Sequence, residues 1–225
     1  MSEFLSSSIG KKLIMSITGI FLMLFLIVHL SVNLMLMVGN GELFNRAAHF
    51  MVTNPAVRII EPILAVGFIL HIIYATYITL LNRGNRPVKY SKTSSSNGLT
   101  TWPAKNMFIL GSTILTFLVI HLINFFWKLR FGSVESITYD NFTYMKDAYS
   151  LVAGLFTGYW WYCLIYIVGA IMLGLHLSHG FWAAFQTLGW NGTKWLKRLE
   201  TIAYVYAVVI GGGFSIIPLY FLIFK

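Results

Sequence analysis

Five of the six histidines, His29, His71, His121, His176 and His179, stand inside long apolar runs, and only His49 lies in a polar segment. An ionisable side chain at membrane depth is costly and needs a partner. One residue of the same type on each of four runs points to a shared one. Neutral imidazole is a good axial ligand for haem iron, so two histidine pairs could hold two haems non-covalently. The single cysteine, Cys163, belongs to no CxxC or CxxCH motif, which disfavours thiol redox chemistry and covalent haem. Any one of these histidines could instead hydrogen-bond a neighbouring helix. Four at matched depths favour the ligand reading.

The elements that must position them follow from composition. Of 225 residues, 57% are hydrophobic and 10% charged, too little polar surface for a soluble globule. Apolar runs at about 13–38, 59–82, 106–127, 159–187 and 201–224 each reach the roughly 20 residues that cross a bilayer core as a helix. The expected fold is an all-α integral membrane protein, one transmembrane domain over 1–225 built as a five-helix bundle. The first run follows Lys11 and Lys12 without a small-residue cleavage site and reads as a retained span. The run from Leu151 is too long for one span; Gly154, Gly158 and the cluster Tyr159 to Tyr162 mark where its membrane part begins. Segments with Gly39-Asn40-Gly41, Asn54-Pro55, the polar stretch Asn82 to Asn97, Trp102-Pro103 and Asn191-Gly192 read as loops or turns.

The net charge of +9 does not call for nucleic acid, because the basic residues are distributed between apolar runs. They set orientation instead. One side of the expected bundle holds ten Lys or Arg against Glu3 and Glu200; the other holds six against five acidic residues. Loops rich in Lys and Arg stay in the cytoplasm, which puts the N-terminus inside and the C-terminus outside.

Depth then pairs the histidines. His29 lies 17 residues after Lys12 and His121 lies 16 after Lys105, both on outward-running helices, so they share an outer level. His71 lies 12 residues before Arg83 and His176 lies 11 before Thr187, both on inward-running helices, so they share an inner level. The two levels differ by about 5 residues, roughly 7 Å along the normal. His179, three residues after His176 on nearly the same face, could replace it as a ligand or bond a haem propionate. Gly19, Gly67, Gly111 and Gly174 could let a flat macrocycle approach the backbone or could pack helices. Phe25, Phe68, Phe117, Phe125, Phe126 and Phe181 are assigned no role.

The segments Ile27 to Asn33, Phe44 to Met51, His71 to Ile78, His121, and His176 to Trp182 carry a more specific signal. In their order and spacing the chain resembles, over essentially its whole length, the diheme cytochrome b subunit of succinate:quinone oxidoreductases, single-anchor b558 type. The resemblance implies that His29 with His121 (outer haem) and His71 with His176 (inner haem) are the axial ligands. It implies an anchor for a cytoplasmic flavoprotein with FAD and for an iron–sulfur subunit, in a heterotrimer or a dimer of heterotrimers, in the bacterial cytoplasmic membrane. Electrons from succinate oxidation would pass through the two haems b to a quinone, with menaquinone expected; quinol:fumarate reduction is the reverse. Some menaquinol-oxidising relatives carry a glutamate where this chain has Gly174, two residues before the fourth-span ligand.

At the outer side, His49, Asn54, Arg58 and Glu61 form a group suited to protonating a quinone. His49, Arg58 and Glu61 are the quinone candidates, and an Arg58–Glu61 ion pair is the plainer alternative. Arg83, Arg86 and Lys89 either dock the iron–sulfur subunit or only set topology. Two further readings stay open: another diheme membrane cytochrome, disfavoured by the ligand spacing, and a haem-free transporter or scaffold.

Overall fold

The computed structural model describes residues 7–84, 101–139 and 143–225. Among these, five helices are long and apolar enough to cross a bilayer. Helix α1 (Ser8–Leu34) starts where the Ser7 hydroxyl accepts from the Gly10 amide at 3.0 Å, a cap that satisfies one of the free first-turn donors. It runs on through a 3₁₀ turn, Met35–Met37, to a short helix α2 (Glu42–Thr53). Helix α3 (Pro55–Gly84) opens on a proline, which has no amide to leave unsatisfied, while the Asn54 Oδ1 accepts from Ala56 N at 2.9 Å. A single turn, α4 (Trp102–Lys105), precedes α5 (Met107–His121); this span continues through a π-helical turn, Leu122–Trp127, into α6 (Lys128–Phe131). An antiparallel hairpin, β1 (Ser136–Tyr139) with β2 (Thr143–Lys146), pairs Ser136 with Lys146. Then come α7 (Ala148–Gly158), α8 (Trp160–Thr187) and α9 (Thr193–Phe224).

The spans sit where the apolar runs put them, but α1 and α9 begin five and eight residues earlier. Lys11, Lys12, Lys194, Lys197 and Arg198 are carried on those extra turns, since long basic side chains keep their heads in water from a helix that has left the apolar layer. Of the segments read as loops or turns, Pro55 and Trp102-Pro103 instead open helices α3 and α4, since proline is well placed in a first helical turn. Helix α2 lies between the first two spans, and the hairpin and α7 lie between the third and fourth. These stack together over one end of the bundle. Asn45, 1% exposed, ties them: its Nδ2 donates to Asp147 Oδ1 at 2.9 Å and to the Tyr139 hydroxyl at 3.2 Å, and its Oδ1 accepts from Tyr149 N at 2.8 Å. Asp147 also caps α7, accepting from Ser150 N at 3.0 Å and Ser150 Oγ at 2.6 Å. Those bonds hold its carboxyl below the ordinary 3.8, outweighing the upward push of partial burial. Gly41, at φ +91°, has no room for a side chain because Tyr149 lies over it.

Four helices make a ring in the order α1, α3, α5, α8. Neighbours pack along three edges, while α3 and α5 barely touch. Helix α9 lies outside this ring against α8 and α1. It crosses α8 at glycines: a Cβ on Gly174 would lie 3.1 Å from the Ala207 carbonyl, and one on Gly211 3.1 Å from that of Ala170. Small residues allow this approach where lipid supplies no hydrophobic drive. Gly174 is therefore a helix-packing glycine, one of its two expected roles. The Tyr206 hydroxyl adds a bond to the Met23 carbonyl at 2.6 Å, joining α9 to α1.

Candidate functional site

Each of the four ring helices carries one of the four histidines, and they meet across the diagonals. His29 on α1 faces His121 on α5, with ring centres 5.7 Å apart and planes at 89°. His71 on α3 faces His176 on α8 at 6.4 Å and 70°. An imidazole nitrogen binds a metal at about 2 Å and the ring centre lies about 1 Å behind it, so two rings across one ion have centres about 6 Å apart. Both pairs have that spacing. Among the described residues no three His, Cys, Asp or Glu side chains converge on one point. Two protein ligands per site suit an iron whose remaining positions are filled by a macrocycle.

Three helices measure the separation of the pairs. On α1, Thr18 and Gly19 lie against His71, ten or eleven residues before His29. On α5, Gly111 lies against His176, ten residues before His121. On α8, Tyr166 lies against His121, ten residues before His176. Ten residues of α-helix rise about 15 Å, twice the 7 Å expected from loop charges. The charges mislead because they do not share a plane. Lys11 Nζ reaches the Tyr77 hydroxyl at 3.3 Å, so α3 overhangs the level of Lys11 by the turns between Tyr77 and Gly84.

The imidazole surroundings differ. Phe25 stacks on His29 at 5.1 Å and 19°, and Phe214, from the span without a histidine, meets it at 5.5 Å. Phe117, Phe125 and Tyr166 surround His121 at 6.0, 5.4 and 6.1 Å. The π-helical turn that follows His121 adds a residue per turn and aims Asn124 inward, where its Nδ2 donates to the Tyr166 hydroxyl at 3.3 Å. Sequence reading missed Thr18, Asn124, Tyr166 and Phe214; the one available signal was an Asn inside the apolar run Leu122 to Trp127. His71 Nδ1 lies 3.4 Å from Thr18 Oγ1 and His29 Nδ1 3.4 Å from Asn33 Nδ2, whereas the buried Nδ1 atoms of His121, His176 and His179 have no hydrogen-bond partner. His179 turns its ring edge to Trp182 at 4.8 Å, and it is His176 that faces His71.

Over 179 residues, 79% of this chain and 78% of the relative, the sequence is 30% identical to the succinate dehydrogenase cytochrome b558 subunit of Bacillus subtilis (strain 168). The chain belongs to the succinate dehydrogenase cytochrome b558 subunit family. No protein-family model and no solved structure matches it. As a cytochrome b558 family member with five apolar spans it is a multi-pass membrane protein, the non-catalytic membrane part of an enzyme complex.

The residues considered for quinone in this family member gather at the end covered by α2 and the hairpin without bonding one another. His49 lines a small cleft with Val52, Leu129 and Lys146. Arg58 does not pair with Glu61: its Nε donates to the Val52 carbonyl at 3.0 Å, and Glu61 meets Arg130 at 3.6 Å. An acid and a base three residues apart leave each other here because a helix end and a neighbouring span offer better-placed partners. Arg86, Lys89 and the side chain of Arg83, the docking candidates, lie outside the described residues.

Proposed function

We propose that the chain anchors a succinate:quinone oxidoreductase in the bacterial cytoplasmic membrane and carries electrons through two haems b, held by His29 with His121 and by His71 with His176. The observation that supports this most directly is the two facing imidazole pairs at ligand spacing, set on the two diagonals of one helical ring. Bound there, the haems supply a one-electron relay between an iron–sulfur subunit and menaquinone. The chain supplies neutral imidazoles on helices whose packing fixes their separation, and Phe25, Phe117, Phe125 and Phe214 keep water from the first pair. The ten basic residues place the N-terminal end in the cytoplasm, where the iron–sulfur subunit and the FAD-bearing flavoprotein dock nearest His71 and His176.

At the other end, reduction of a quinone to a quinol takes two electrons and two protons. His49 and Glu61 deliver the protons to its two oxygens, and Arg58 orients it. The backbone of α9 fills the space beside Gly174, so no carboxylate stands two residues before His176. This favours succinate oxidation over fumarate reduction as the working direction.

The experiment is a reduced-minus-oxidised visible spectrum of the purified complex with haem quantified per chain. Two haems b per chain, co-purifying with a flavoprotein and an iron–sulfur subunit, support the reading. A chain without haem overturns it.

A further inference from the structure

His71 has surroundings that none of the other three facing histidines shares. The edge of its ring bearing Nδ1 lies on α1 at two consecutive residues. The Thr18 Oγ1 stands 3.4 Å from Nδ1, and Gly19 packs on the same edge, where a Cβ would sit 3.4 Å from Cε1 and 3.8 Å from Nδ1. Thr18 is 8% exposed, and its hydroxyl hydrogen is already committed, donating to the Ile14 carbonyl at 2.8 Å with Met15 O at 3.1 Å. A hydroxyl whose hydrogen is engaged has only lone pairs to offer. It therefore accepts, and the His71 Nδ1 carries the proton. That tautomer leaves Nε2 with its lone pair on the side of the ring away from α1. Opposite stands His176, whose Nδ1 is buried without a partner, as is that of His121. Among the facing four, His71 alone has a hydroxyl acceptor, beside which the Met15 backbone also hydrogen-bonds the ring, and the neighbour of His29 Nδ1 is an amide nitrogen.

We propose that Thr18 is a positioning residue for the haem held by His71 and His176, acting through the His71 Nδ1–H to lower the potential of that haem and not of the other. This rests on the haem reading above. An acceptor at Nδ1–H makes the imidazole a stronger donor to its metal, which favours the more positively charged ferric state. Gly19 keeps the ring close enough for the contact.

The test is an optical redox titration of the complex carrying Thr18→Val, Thr18→Ala or Thr18→Ser. Thr18→Val keeps the shape and removes the hydroxyl, leaving the Met15 backbone as the ring's one partner on α1; Thr18→Ala removes hydroxyl and methyl; Thr18→Ser keeps the hydroxyl. The expected result is that Val and Ala raise the reduced-to-oxidised ratio of one haem about twofold at fixed ambient potential, the lower end for one neutral hydrogen bond because the Met15 backbone still bonds the ring. Ser stays at the wild-type position, and the second haem does not move. If Val destabilises the bundle, Ala and Ser still carry the comparison. Unchanged titrations in both Val and Ala, equal shifts of both haems, or a shift in Val alone overturn the proposal. A wild-type complex without two titrating haems overturns the reading beneath it, and that result is visible before any variant is made.

Discussion

The rings of His29 and His121 stand 5.7 Å apart at 89° to one another, although 92 positions separate them in the chain. Their partnership predicts grouped losses. If the proposed haem sites are right, His29→Ala and His121→Ala should each remove the same component of the reduced-minus-oxidised spectrum, and His71→Ala and His176→Ala the other, because each variant leaves its site one of the two imidazoles that would hold the group. His179→Ala should retain both components. Low-temperature spectra of the five variants check this, and loss of a haem in His179→Ala would reassign the α8 ligand.

The Asn124–Tyr166 bond lies in an aromatic shell where each partner is less than a tenth exposed. Tyr166→Phe or Asn124→Leu should each cost about 1–3 kcal/mol, since either leaves one buried polar group unpaired. The double variant should cost less than the sum of the two. Thermal unfolding followed by helical circular dichroism provides the comparison, and additive losses would show that the bond carries nothing.

Glu61→Gln should slow quinone reduction about 100-fold, the typical contribution of a positioned proton donor. Succinate oxidation by an artificial acceptor that draws electrons before the membrane should be unchanged. The ion pair with Arg130 is partly exposed, so its loss should cost at most about 1 kcal/mol of stability. Equal loss in both assays would point to assembly and not to quinone chemistry.

Asp147 is held below its ordinary 3.8 chiefly by Ser150 and Asn45, against the opposing effect of burial. A carboxyl lowered on folding stabilises the fold above its unfolded value, and that stability is lost as pH falls through the lower, folded value. Wild type should therefore lose stability below about pH 3.8 by a component that Asp147→Asn lacks, seen in melting temperatures between pH 3 and 5. Identical pH slopes in the two proteins would contradict it.

Gly174→Leu should force α8 and α9 apart, costing about 1–3 kcal/mol, the usual penalty of overpacking. Haem content should survive, because α9 carries no histidine and stands outside the ring. Melting temperature and haem per chain separate the two effects.

Much of this protein is legible in its residues. Twenty apolar positions in a row admit few structures other than a spanning helix, because a backbone in lipid must bond to itself. Hence five spans, and the break before Trp160, can be read directly. Histidines at membrane depth declare themselves by their cost, and alternation of span direction sorts His29 with His121 and His71 with His176. Loop charges fail as a ruler, since lysine side chains reach for water from different depths, and the pairs stand about 15 Å apart instead of 7 Å. The covering elements α2, the hairpin and α7 are held by Asn45 and Asp147, polar contacts across about a hundred positions that no local pattern announces. The hydrophobic pattern tells each helix to enter the membrane; only packing tells it which neighbour to face. Thr18 beside His71, Phe214 beside His29 and the π-helical turn that aims Asn124 at Tyr166 were decided there, because in lipid every apolar face is equally content until close-fitting backbones and a few hydrogen bonds choose among them.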